Sequence, residues 1–167
     1  MRDHVRDLML ADLERGLGIV LDGYEVAPAW RILTPEGDFL ILTRFDPDKP
    51  KQRQRVLGLV PRFMAWKLAT GFVLTCETWA GAVLTIGVTH QECLGVIQHI
   101  RRTPTVSFGE PEWLPASSLD DTYFQLLPDG TTPVTAMEAK TLAVVFGEAG
   151  EMPARPLGPR AWFGTSA

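Results

Sequence analysis

The chain has 167 residues, a formal net charge of −4 and 22% charged residues, which suits one soluble globular domain with a sizeable core and excludes a disordered chain. Its two cysteines cannot build a disulfide framework and read as buried thiols of a protein in the reducing cytoplasm. The opening stretch MRDHVRDLML carries charges where a secretion signal needs an apolar run, so no signal is expected. Asparagine is absent and arginine outnumbers lysine twelve to four, a usage that suits a GC-rich bacterial genome.

Val5, Leu8, Met9, Leu13, Leu17, Val20, Leu21 and Tyr24 keep helical spacing, which predicts a helix over 4–22 closed by Gly23. Gly16 and Gly18 make a break near residue 16 the alternative. Residues 30–45 read as a hairpin around Pro35-Glu36-Gly37-Asp38, with Trp30, Ile32, Phe39, Ile41 and Phe45 on its core side. Asp46-Pro47-Asp48 then breaks the strand, and Asp48 can cap a helix with Pro50 in its first turn. Val56, Leu59, Val60, Phe63, Met64 and Leu68 form its stripe, and Pro61 should kink or split it before Gly71 ends it.

Residues 71–89 contain a single charge, Glu77. Their threonines, glycines and mid-run carboxylate favour a hairpin turning at Ala80-Gly81 over a membrane span. Alternation places Phe72, Leu74, Cys76 and Thr78 on one face and Val73, Thr75, Glu77 and Trp79 on the other. Thr89 and Glu92 then match a capping box, and Cys93, Leu94, Val96, Ile97 and Ile100 share one helical arc, so a third helix is expected over 89–102. Val106–Phe108 suggests a strand, Ser118 with Asp121 a short helix, and Thr135 with Glu138 a capped helix reaching Gly147. The expected fold is therefore a single α+β domain over 1–147 in αββαββα order, followed by a proline-rich segment and a further helix. Its core is a mostly antiparallel sheet of four to six strands with helices mainly on one face. Residues 148–167 read as a Gly/Pro-rich arm or disordered tail in which Trp162 and Phe163 can anchor a partner.

The motifs name no reaction. His90-Gln91-Glu92 matches half of a zinc-deaminase signature, but the P-C-x-x-C half is absent and the cap already accounts for Glu92. His90 and Cys93 lack convincing third and fourth metal ligands, so no metal or other cofactor is expected. Cys76 and Cys93 fall on predicted core faces, which disfavours a nucleophilic role. Gly-rich phosphate loops, a G-x-S-x-G elbow and H-E-x-x-H are all missing.

Two constellations remain. Glu77, Thr75, Thr85 and Trp79 share a sheet face where, with Arg31 or Arg44 as charge partners, they can line a pocket for a small ligand or substrate. Residues 44–67 hold seven basic residues against two acids, whereas residues 105–151 hold eight acids against Lys140. Lys51, Arg53, Arg55 and Arg62 are thus the candidates for nucleic-acid contact, although the two regions can equally pair within the chain or between subunits. Five tryptophans, the charge polarity and the aromatic tail favour a non-catalytic binding or protein-interaction domain that forms homo-oligomers, ahead of a small-ligand protein or enzyme and of a nucleic-acid binder. No membrane partner is expected.

Overall fold

The computed structural model describes residues 2–44 and 49–158. Along the chain run α1 (Arg2–Leu21), β1 (Ala29–Thr34), β2 (Gly37–Leu42), α2 (Pro50–Trp66), β3 (Gly71–Thr78), β4 (Ala82–Thr89) and β5 (Cys93–Arg101). Then follow β6 (Ser107–Phe108), β7 (Glu112–Pro115), α3 (Asp121–Gln125), α4 (Ala136–Val145) and β8 (Ala154–Pro156). The expected α+β class holds, with one antiparallel sheet ordered β6-β5-β4-β3-β1-β2-β8 and β7 also paired to β5. Eight strands replace the expected four to six, because β5 and the short β6, β7 and β8 extend both ends.

Both predicted hairpins form. Gly37 and Gly81 sit at their turns with φ 131° and 72°, backbone that a side chain would strain. In β3 and β4 the register sets Phe72 opposite Val88 and Val73 opposite Gly87, so the predicted alternation is realised. Trp30, Ile32 and Ile41 are in the core and Phe39 packs against it, while Phe45 and Asp46-Pro47-Asp48 lie outside the described residues. The helix α2 starts at Pro50 and runs unsplit past Pro61.

The third helix expected over 89–102 is instead the strand β5, which corrects the αββαββα order to αββαβββ. Thr89 does not cap a helix. Its N–H donates to the Glu92 carbonyl (2.8 Å), its hydroxyl accepts from the Gln91 N–H (3.3 Å), and His90-Gln91-Glu92 connects β4 to β5. The physical reason is that β4 is buried on nearly every residue and needs a partner along both edges. Its neighbour β5 is also apolar on both faces: Leu94 and Val96 meet one core, Cys93 the other. A strand of that kind has no clean period of two and imitates a helical arc over nine residues.

Three helices lie on one face of the sheet. There Val56, Val60, Phe63 and Met64 of α2 and Leu142 and Val145 of α4 pack on Trp30, Ile32, Phe72, Leu74 and Ile86. On the opposite face α1 lays Val5, Leu8, Met9, Leu13 and Val20 on Leu33, Val73, Val83 and Val96. The helix is unbroken at Gly16, which instead lets it approach the sheet: a Cβ there would stand 3.0 Å from Val83 Cγ1. The reciprocal gap is Gly87 of β4, where a Cβ would stand 2.5 Å from Met9 Sδ.

At the periphery, the Thr135 hydroxyl accepts from the Glu138 N–H (3.1 Å), so α4 is capped as predicted. The cap of α3 is Asp120 rather than Ser118, since Asp120 Oδ1 accepts from the Thr122 N–H at 2.9 Å. The Gly/Pro-rich segment contributes β8, which pairs with β2, and Leu157 N–H donates to Asp38 O (2.8 Å). Trp162 and Phe163 lie outside the described residues.

The helices α1 and α2 end in the same way but with different residues. After α1, Gly23 takes φ 87° while Tyr24 N–H reaches back to Ile19 O (3.1 Å). After α2, Leu68 takes φ 55° while Ala69 N–H reaches back to Met64 O (2.9 Å). Both are Schellman closures, in which the left-handed position favours glycine. Leu68 is 72% exposed, so its side chain returns little packing for that conformation. Leu68→Gly is expected to raise the unfolding free energy by about 1 kcal/mol in urea denaturation. A loss of stability would show that contacts of the leucine outweigh the strain.

Candidate functional site

A groove of about 1000 Å³ lies at the end of the sheet where β1 begins and the β3–β4 hairpin turns. Its first wall is the C-terminal half of α1 and the 24–28 connection, its second the end of β3 with Trp79 and Gly81, and Leu42 and Arg44 close a third side. The local sequence explains the shape. Gly23 swings the chain off the helix axis, so Tyr24, which the periodicity placed on the helical stripe, is 70% exposed at the groove. Trp79 stands beside the hairpin turn and is 95% exposed, and Leu42, at the end of β2, is 55% exposed.

Glu77 links the walls. Its Oε2 accepts from Val26 N–H (3.4 Å), its own N–H donates to Val26 O (3.4 Å), and Arg102 donates to its Oε1. Arg102 reaches this point because β5 runs back alongside β4, with Ile100 N–H bonded to Gly81 O (2.9 Å). Reading 89–102 as a helix hid this partner. Arg15 faces Asp12 at 3.7 Å. Arg44 and Glu25 also line the groove, and neither has an ion-pair partner among the described residues.

Of the six residues assigned from sequence to a ligand pocket, Glu77, Thr75, Trp79 and Arg44 line the groove. Thr75 and Thr85 are buried beneath α1 and share a hydroxyl contact of 3.1 Å. Arg31 is on the same sheet face but is enclosed. It donates to Asp12 through Nε (2.8 Å) and Nη2 (2.7 Å), with Asp38 at 3.5 Å on its other side. The Asp12 hydrogen bonds raise the Arg31 pKa above its ordinary value despite the opposing effect of burial. This is a clamp between α1, β1 and β2, and its charges are already satisfied.

Lys51 and Arg53 are exposed on α2. Arg55 instead forms a bidentate pair with Glu151 (2.7 Å), and Arg62 pairs with Glu138 (2.6 Å). These hydrogen bonds hold both carboxyls below the usual carboxylate range. Part of the basic–acidic asymmetry is thus spent inside the chain, tying α2 to α4 and to the segment before β8.

The two thiols are free, and burial pushes both upward in pKa, which favours the unreactive protonated form. His90 is exposed on the β4–β5 connection, and Glu92 lies 4.0 Å from Arg6 beside a smaller cavity of about 390 Å³ at the first turns of α1. Among the described residues no cluster of three or more His, Cys, Asp or Glu side chains is placed to hold a metal, and no helix is long and apolar enough to cross a membrane. No family model matches the chain, and no curated protein or solved structure matches it either.

The clamp gives a direct prediction. Asp12→Ala leaves a half-buried guanidinium with only Asp38 and is expected to cost about 2 kcal/mol of stability in chemical denaturation, between the values for broken buried pairs and for surface bridges. A loss below about 1 kcal/mol would place the pair among the weakly contributing surface bridges.

Proposed function

We propose that this protein is a non-catalytic protein-interaction domain whose working surface is the groove between the 24–28 connection and the β3–β4 hairpin. The observation that carries the reading is Trp79, 95% exposed on the groove's rim and joined there by Tyr24 and Leu42. A tryptophan left in water gains the most from a partner, and Trp, Tyr and Arg dominate the energetic centres of interfaces. The chemistry of the groove supports binding over catalysis. Its titratable groups are arginines, glutamates and Tyr24, and the partly buried Glu77 is occupied by Arg102 and the Val26 amide. A base so engaged is poorly set to accept a substrate proton.

The pairing of Arg55 and Arg62 with acids of the same chain turns the reading away from nucleic acid, since two of the four candidate cations are engaged. The free thiols Cys76 and Cys93 fit a reducing compartment, and the cytoplasm is the proposed location.

Selection of a random-peptide phage library on the wild-type protein tests the proposal. Enriched peptides are expected to lose at least about tenfold in affinity on the Trp79→Ala variant, whose far-UV circular dichroism stays unchanged. Failure of the protein to enrich any peptide at a concentration where it is monomeric, or peptides that bind the variant equally well, would overturn it.

A further inference from the structure

We infer that the partner which fills this groove is a second copy of the same chain, docked about a twofold axis. This rests on reading the groove as an interaction surface, and three features of the patch identify the occupant.

The first is that projection and recess lie side by side. Trp79 projects from the rim, and the same groove is lined by Ile19 and by the buried Val26 and Ala29. In a twofold interface the same patch serves on both subunits, so each contact occurs twice. A rotation that brings one Trp79 into the partner's recess therefore brings the partner's Trp79 into the first recess. A patch that holds only a recess, or only a projection, has no such self-complementarity.

The second feature is charge. Arg15 and Arg102 are taken up within the chain by Asp12 and Glu77. Arg44 and Glu25 line the same groove, are both exposed, and have no ion-pair partner among the described residues. Among the described residues that leaves one cation and one anion on a single patch, which is what a twofold needs, because Arg44 can meet the partner's Glu25 while Glu25 meets the partner's Arg44. A strongly acidic or strongly basic partner would match only one of the two.

The third is the apolar rim. Tyr24 and Leu42 line the same groove as Trp79 and remain more than half exposed in the isolated chain. An aromatic centre with charges at its edge is the composition of a protein–protein interface, and here it is shared by one continuous patch.

Sedimentation equilibrium of the full chain from micromolar to near-millimolar concentration tests the inference. The wild type is expected to form a reversible dimer. Trp79→Ala should weaken it by about 30-fold or more, the loss expected of an interface hot spot. Arg44→Glu and Glu25→Arg should each weaken the dimer, and the double variant should recover most of the loss because the pair is restored with its signs exchanged. A dimer unaffected by Trp79→Ala, or single charge reversals that the double variant does not rescue, would overturn the inference. A wild type that stays monomeric while its groove still takes selected peptides in a Trp79-dependent way would refute the second copy and leave the interaction reading standing. A monomer whose groove takes neither would refute both.

Discussion

The contact on which the rest of the fold depends is the close approach of α1 to β4. It needs a missing side chain on each element. Gly87 of the strand leaves the space that Met9 occupies, and Gly16 of the helix leaves the space that Val83 and Thr75 occupy. With both gaps in place, α1 seals one face of the sheet over Val73, Val83 and Val96. Without them a side chain would hold the helix off the sheet and open voids along the core, where close packing is the rule for protein interiors.

Several features follow from that docking. It sets Arg31 between Asp12 and Asp38, so that two buried carboxylates become tolerable because each has the half-buried guanidinium as a partner. It also fixes where the chain emerges from α1. Gly23 then turns Tyr24 outward, and Val26 meets Glu77 through two backbone-directed hydrogen bonds. The groove is the space left between that emerging segment and the hairpin tip, so its shape is set by the helix contact several residues away. On the other face, the pairs Arg55–Glu151 and Arg62–Glu138 lie at the surface, where solvent screens them. They orient α4 and the approach to β8, and the apolar contacts of Phe63, Leu142 and Phe146 supply most of the adhesion there.

Much of this was legible in the sequence, for reasons that can be named. The hairpins β1–β2 and β3–β4 were readable because a turn signal separated two alternating runs, and the alternation assigned Phe72 and Val73 to opposite faces as found. The strand β5 was not, because Cys93 faces one core while Leu94, Val96 and Ile100 face the other, and Thr89 and Glu92 have a spacing that serves a helix cap or a hairpin turn equally. The overlooked clue was β4 itself: a strand so fully apolar cannot end a sheet. The groove was legible in part. The period of two grouped Thr75, Glu77 and Trp79, but no local pattern says how far α1 extends over that face, so the burial of Thr75 and Thr85 was beyond it. Arg102, Glu25, Leu42 and the exposed Tyr24 entered the site through tertiary placement, for which the sequence held no spacing signal.

The most direct measurement of this account is the unfolding free energy of Gly87→Ala, compared with wild type by urea denaturation with circular dichroism. The close docking of α1 predicts a loss of about 1–3 kcal/mol, the cost of forcing a methyl group into a filled contact, with the folded spectrum retained. Unchanged or increased stability would mean that the space at Gly87 is not taken by Met9, and that the packing of α1, and the groove that follows from it, are not set by this contact.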